Sequence, residues 1–440
     1  MDQISRRSFL VASAALGGAA LAGCNPAGPT TGGASAPAPA PTKAPADITG
    51  ELTIWNGSSQ MTNAIKQTFQ AAYPNLKVNL VDFGGNDLQE KLLVALATQT
   101  DLPDITWVIA RRAAIYLRTN QFLEMDDLLK PYESRFDSPS AIVRHRGRIY
   151  SYVQGPGNVA LWVNAEQLRQ NGIDIATFTT WDATIEAAKK LARDSGGQKT
   201  FLIQPLRAIG FNTFNTFFHS RSGNWWTEDG QPYKDGRNLQ TLQEVFQFWI
   251  DLKRAGIAYE NDWVPPTFWQ AAREGKNLGY QMNFAVGANN TVQNLPEQSG
   301  QWRMVTWPKW GPNAPNQTGA FGGVFYAVLK NAKNLDAARA FMTFWLEKGM
   351  EEQIKVWGIS NYKPATELPI YQEGRPFFGG QKVQLDMSRV PYPPFNYWDW
   401  DKMESEIGPI VEQAAAGQVT AAQAVDLSVK ALEKIASERR

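Results

Sequence analysis

From Glu51 onward the spacing of apolar residues alternates between a period of two and one near 3.6, which predicts strands alternating with helices. Leu52-Thr53-Ile54 reads as a strand, and Ile65, Phe69 and Ala72 then mark one face of a helix that ends at Tyr73-Pro74. Lys77 to Phe83 predicts a second strand and Gly84-Gly85 a break. Asp87 and Glu90 have the spacing of a capping box, opening a helix through Leu88, Leu92 and Leu96. Asp104 to Ile109 predicts a third strand. An order of β-α-β-α-β implies a mainly parallel sheet covered by helices on both faces.

A second series follows. Gly147 to Val163 holds two strand candidates, Thr179-Thr180-Trp181-Asp182 caps a helix running to about Arg193, and Asn238 to Arg254 is a long amphipathic helix closed by Gly256. Leu278 to Phe284, Trp302 to Trp307 and Val324 to Leu329 predict further strands, the last leading into a helix from Leu335 to Leu346. The C-terminus is helical, with Gly417 stopping one helix and Thr420-x-x-Gln423 capping the next. No internal repeat of fixed short period is present.

The N-terminus obeys a different pattern. Arg6-Arg7 precedes an apolar, small-residue run from Phe9 to Ala22, too short for a bilayer core that needs ~20 apolar residues but of the length of a signal-peptide core. Leu21-Ala22-Gly23-Cys24 resembles a bacterial lipobox, and the twin arginine resembles a Tat export signal. Residues 1–23 are therefore expected to be a signal peptide, with Cys24 the lipidated new N-terminus. Residues 24–47 are rich in Pro, Ala, Gly and Thr, too poor in apolar bulk to pack, and read as a flexible tether. The expected location is extracytoplasmic and membrane-anchored.

Composition narrows the function. At 440 residues the chain holds about 2.9 domains of ordinary size, and a single core rarely grows past ~300 residues. With 43% hydrophobic and 19% charged residues it folds as a globule rather than a disordered chain. Lysine and arginine total 43 against 42 acids, so no general electrostatic drive toward nucleic acid exists. One cysteine and two histidines, His145 and His219, exclude an intrachain disulfide and a Cys- or His-rich metal site. Sixteen tryptophans are the unusual count.

The order of local motifs resembles the bacterial extracellular solute-binding proteins of carbohydrate ABC importers, the maltose-binding-protein-like family. The resemblance is carried by Leu52-Thr53-Ile54-Trp55, by the helix, Tyr-Pro and Val entry from Ile65 to Val78, and by Leu102-Pro103-Asp104-Ile105. It continues through Gly147-Arg148-Ile149-Tyr150, Val163-Asn164, Asn171-Gly172-Ile173-Asp174, Thr180-Trp181-Asp182, Gly275-Lys276 with Met282, Gly322-Gly323, and Asp336-Ala337-Ala338 with Phe341. Val163 stands where the family usually has an aromatic, and the proline expected before Thr180 is absent. The resemblance implies two doubly wound α/β lobes joined by hinge strands with a ligand cleft between them. Lobe I would comprise residues 48–155 and about 324–346; lobe II, about 158–321 and 347–440. Gly155, Gly157, Gly322 and Gly323 stand at the expected crossings. The implied partners are a carbohydrate ligand and the transmembrane subunits of an ABC permease, with the membrane reached through the lipid anchor. The chain is expected to act as a monomer, without cofactor or metal.

Ligands of open α/β sheets bind beyond the carboxyl ends of the strands, which here carry Trp55, Asn56, Ser58, Asp82 and Arg111. Trp225, Trp226, Trp398 and Trp400 lie in exposed-looking aromatic stretches, as do Phe211 and Tyr397. A sugar ring pairs an apolar C–H face with a rim of hydroxyls, so an aromatic edged with amides and carboxylates suits it. Trp107, Trp181, Trp249, Trp302, Trp345 and Trp357 sit in periodic segments and read as core. His145 reads as part of a basic surface face, and His219 as a structural histidine. No Gly-x-Ser-x-Gly, His-Glu-x-x-His or phosphate-binding loop is present; Gly196-Gly197-Gln198-Lys199-Thr200 lacks the glycine spacing. The enzymatic alternative is a secreted glycoside hydrolase or lyase using two carboxylates among Glu228, Asp229, Asp399, Asp401 and Glu404. A further alternative is the same fold binding a charged solute such as a polyamine or phosphodiester.

Overall fold

The computed structural model describes residues 44–201, 210–257, 266–391 and 398–439, with backbone alone at 320–321. The twin arginine, the lipobox with Cys24, residues 24–43 of the tether, and Tyr397 lie outside the described residues.

The first series of the sequence forms β1 (Gly50–Asn56), β2 (Leu76–Asp82) and β3 (Ile105–Ile109). β1 pairs in parallel with both neighbours, Asn56 opposite Asp82 and Ile54 opposite Ile105. The Gly85–Thr98 helix connects β2 to β3, burying Leu88, Leu92 and Leu96 at helical spacing. Its N-cap is Gly84, which makes no side-chain cap bond, so the capping box expected from Asp87 and Glu90 does not form. Downstream, β4 (Ile142–His145) and β5 (Arg148–Tyr152) make a separate antiparallel hairpin.

Beyond β5 the topology departs from a parallel sheet. β6 (Gly155–Asn164) is flanked by β7 (Gly279–Asn283), β8 (Trp302–Thr306) and β9 (Ala320–Val328), and every one of these contacts is antiparallel. β9 also runs antiparallel to β3, giving a seven-stranded sheet in the order β2-β1-β3-β9-β6-β7, with β8 on β6. All ten residues of β6 are buried, which explains its nearly continuous apolar sequence.

Two strands therefore belong to both halves of the sheet. β6 pairs with β9 through Gly155 and Pro156 and with β7 and β8 through Val159 to Asn164. β9 pairs with β6 through residues up to Val324 and with β3 from Val324 to Val328, so that Val324 faces both. The register slips between Pro156 and Asn158. Proline, with no N–H to give the ladder, is tolerated inside a sheet at such a bulge.

The cores follow this division. The first gathers Leu52, Ile54, Phe69, Leu88 and Val108 with Phe325, Phe341 and Trp345. The second packs Val159, Leu161 and Val163 against Phe214, Phe217, Trp249, Trp307 and Trp400. A third lies on the alternate residues of β6, Ala160 and Trp162, with Tyr280, Trp302 and Phe378; period-two alternation places these on the opposite sheet face. Met350, Ile354, Tyr362, Ala365 and Tyr371 join the first core, which corrects the expectation that everything after residue 347 belongs to the second lobe. The chain returns to the second core with the Trp400–Ala415 and Ala421–Ser437 helices. The latter opens with the expected capping box of Thr420 and Gln423, and Thr180 caps Trp181–Asp194 as expected.

Candidate functional site

A cavity of about 760 Å3 lies between the first and second cores, in the range of small-molecule sites. From the first half it is lined by Ala110, Ala113 and Ala114 beyond β3, and by Ile142 to Gly147 of the hairpin. From the second half come Asn224, Trp226, Thr227, Glu228, Tyr233 and Trp398. The hairpin reaches the cavity because Arg146 (φ 49°) and Gly147 (φ 77°) form a tight turn with two successive positive φ angles. That turn presents His145, whose ring lies 5.3 Å from the ring of Trp398. His145 is only 6% exposed, which corrects its reading as a surface residue. Burial, with Arg146 and Arg118 nearby, pulls its pKa down to about 4, so the imidazole is neutral at physiological pH. At the cavity wall Arg144 pairs with Glu133 at 2.5 Å.

Three of the strand-end residues come together as the sequence suggests, but they bond chiefly to one another and to the scaffold. The register of β1 and β2 sets Asn56 beside Asp82. The Asn56 amide donates to Thr62 Oγ1 (2.7 Å) and to the Ser58 carbonyl (2.6 Å), and its oxygen accepts from the Tyr326 hydroxyl. Thr62 Oγ1 donates to Asp82 Oδ2 at 2.8 Å, and the Ser58 hydroxyl caps the Ser59–Ala64 helix. Asn56 is fully buried, whereas Asp82 is exposed and keeps an edge open to solvent. Burial, reinforced by the nearby Asp82 charge, pushes the Tyr326 hydroxyl well above its usual pKa, so it stays a donor.

The tryptophans are distributed differently from expectation. Trp55 is buried, edge-on to Phe83 at 5.3 Å, with the Lys91 ammonium 5.3 Å from its ring centre. Trp225 bonds Asn215 and packs against Phe211, Phe214 and Phe218. Trp226 donates to the Met403 sulfur, and although it backs the cavity it is fully shielded from solvent. Trp400 packs on Phe211 at 5.2 Å, and Phe211 is itself buried rather than exposed. In this conformation these rings belong to the cores: Trp55 to the first, and Trp225, Trp226 and Trp400 to the second, which the two C-terminal helices complete. Trp398 alone of the five is partly exposed and on the cavity wall. The Arg111 guanidinium lies 5.9 Å from the Trp400 ring centre, across the junction of the two halves. Trp107, Trp181, Trp249, Trp302 and Trp345 are core residues, and Trp357 packs on the first core. His219 is buried, as a structural histidine should be.

The glycines at the strand crossing face one another. Gly322 has φ +92° and is aligned with Gly157 across the bulge; a Cβ on Gly157 would collide with the Gly322 carbonyl group, and one on Gly155 would come within 2.7 Å of Trp357 and Val324. Of the acidic residues offered for hydrolysis, Asp399 pairs with Arg118 and Arg439, and Asp401 with Arg112 at 2.9 Å. Sequence reasoning passes over Asn224 and Tyr233 and misplaces His145, all three of which line the cavity. The signal for His145 is the Arg-Gly pair after it, between the apolar pairs Ile142-Val143 and Ile149-Tyr150.

Comparison with known proteins adds a class to this geometry. A family model described as bacterial extracellular solute-binding protein matches residues 54–352. A lactose-binding protein from Rhizobium radiobacter is 24% identical over 375 residues, covering 80% of this chain and 85% of that protein. An arabinooligosaccharide-binding protein from Halalkalibacterium halodurans is 21% identical, covering 76% of each. Among solved structures, the ABC transporter associated binding protein from B. animalis subsp. lactis in complex with β-1,6-galactobiose superposes with a TM-score of 0.70 at 20% identity, over 89% of this chain and 98% of that one. The fold is thus the two-lobed α/β architecture of periplasmic binding proteins.

Proposed function

The chain belongs to the bacterial extracellular solute-binding protein family, and from that premise we propose that it captures a carbohydrate, an oligosaccharide, between its two halves and delivers it to the transmembrane subunits of an ABC permease. The observation that carries this reading is the 760 Å3 cavity between the two cores, walled by Trp398 and Tyr233 and rimmed by amide, hydroxyl and carboxylate groups. The relatives' names, lactose- and arabinooligosaccharide-binding, support the same ligand class. The antiparallel contact of β6 with β9 would serve as hinge, since Gly155, Gly157, Gly322 and Gly323 carry no side chain to resist rotation there. Binding without turnover is the reading this supports: Asp399 and Asp401 are held by arginines, and of the five carboxylates considered for hydrolysis Glu228 alone lines the cavity, where a hydrolase needs a pair. Cys24 is the lipidation site, holding the protein on the outer face of a membrane.

Isothermal calorimetry of the full chain carrying Cys24→Ser, against lactose, β-1,6-galactobiose, arabinooligosaccharides and maltooligosaccharides, tests the ligand class. A dissociation constant of about 1 μM, near −8 kcal/mol, is expected for at least one of them. Binding of a polyamine or phosphodiester with none to any sugar would overturn the assignment, as would release of shortened glycans. Mass spectrometry of the membrane-extracted protein should find a diacylglyceryl mass on a peptide starting at Cys24.

A further inference from the structure

Besides the approach of Arg111 to Trp400, three contacts cross between the halves from one short stretch of chain. Trp398 lies against His145; Asp399 Oδ1 accepts from Arg118 at 2.5 Å; and Asp401 Oδ1 accepts from Arg112 at 2.9 Å. The second-half residues stand just before or within the first turn of the Trp400–Ala415 helix, which packs into the second core. The first-half residues are carried by the β4–β5 hairpin and by the segment after β3. We propose that these residues form a latch that holds the two halves together without solute, so that any opening of the halves must part His145 from Trp398. This rests on the lobe-closing reading above and adds to it a ligand-independent closed state.

Asp399 is the centre of the latch. Its side chain is 3% exposed and its backbone has φ +46°, a left-handed conformation that Asp adopts more readily than most residues. A buried carboxylate stripped of its only partner would make opening very costly. Arg439, from the same half, removes that obstacle. Its guanidinium holds the other Asp399 oxygen while stacking 3.9 Å from the Trp226 ring centre and 5.1 Å from that of Trp398. When the halves separate, Asp399 keeps one cation, and Arg118 and Arg112 return to water with Arg112 still near Glu90. Opening therefore leaves no buried carboxylate without a cation.

The same geometry reassigns Trp398. Its ring lies between His145 on one side and Arg439 with Gly230 on the other. The ring thus takes part in the junction between the halves while an edge of it stays on the cavity wall.

The test is a distance measurement without solute. Spin labels at exposed Ala97 and Ala422, one on each half, are introduced in the full chain carrying Cys24→Ser, and double electron–electron resonance gives the distance distribution. The parent should show a closed population. Arg112→Ala with Arg118→Ala should lower the closed-to-open ratio at least about fivefold, the expectation for losing charge-assisted hydrogen bonds. Asp401→Asn alone should move it the same way by less, as should 1 M NaCl on the parent; these two readings stand even if the double variant fails to fold. A parent with no closed population, or distributions unchanged by Asp401→Asn and by salt, would overturn the latch. Because no sugar is present, failure here is distinct from failure of the ligand assignment: a chain that binds no sugar but opens on Asp401→Asn keeps the latch and loses the ligand class.

Discussion

Gly157→Ala tests whether the strand crossing is as tight as its geometry implies. A Cβ at this position would overlap the Gly322 carbonyl group and lie 3.0 Å from the Gly322 nitrogen. Both are backbone atoms, so no rotamer change relieves the clash. β6 and β9 must move apart, straining the flanking bonds from Gln154 N to Val324 O (2.9 Å) and from Val159 N to Gly319 O (3.2 Å). Overpacking of this kind costs ~1–3 kcal/mol, and weakening two backbone hydrogen bonds adds ~1 kcal/mol or more. The expected loss, from these two contributions, is about 3 kcal/mol. Gly147→Ala is the comparison: Gly147 has φ +77° but nothing within 4 Å of a new Cβ, so only the left-handed strain of ~1–2 kcal/mol applies. Urea unfolding followed by tryptophan fluorescence, with free energies from midpoint and slope, should rank Gly157→Ala clearly below Gly147→Ala. Equal losses in the two variants would refute the argument that backbone contact at the crossing admits only glycine.

Asn56→Ala leaves the Tyr326 hydroxyl and Thr62 without their amide partner and should cost about 2–3 kcal/mol in thermal or urea unfolding; a loss below 0.5 kcal/mol, taken as roughly neutral, would show the network to be dispensable. Trp225→Ala should cost about 3–5 kcal/mol, as a core truncation does, and an unaltered stability with lost sugar binding would instead make it a ligand platform. Burial pulls His219 down to about 3 from its ordinary 6.5, so the unfolded chain binds the proton first. His219 therefore contributes stability that is full above pH ~6.5 and lost as pH falls toward ~3, by up to about 1.4 kcal/mol per pH unit. Between pH 6 and 4 the unfolding free energy of wild type should fall more steeply than that of His219→Gln, and parallel curves would contradict it.

Local signals carry much of the fold. Thr180 and the Thr420/Gln423 pair cap helices where their spacing says they should, because a cap involves only three or four consecutive residues. Asn56 beside Asp82 is likewise implied by two parallel strands of equal length. What is not legible depends on distant partners. The Asp87/Glu90 pattern is present, yet the helix begins earlier, at the glycines. Residues 350–371 pack on the first core, and nothing in their own composition states which half they join. Trp225 and Trp226, next to Glu228 and Asp229, have the local pattern of an exposed aromatic edge; helices formed much later in the chain cover them. His145 has the neighbours of a basic surface because its covering residue, Trp398, comes from the far end of the chain.

The second core has a consequence for how the protein is made. Phe214, Phe217 and Trp249 are covered by Trp400, Met403, Ile407 and Leu432, which the ribosome adds at the very end, and β3 waits for β9. During synthesis a large aromatic surface stays bare through most of the chain's length, in the state most prone to aggregate. A nonsense or frameshift lesion upstream of Trp400 should therefore yield insoluble chains that depend on chaperones, rather than a shortened receptor with partial activity.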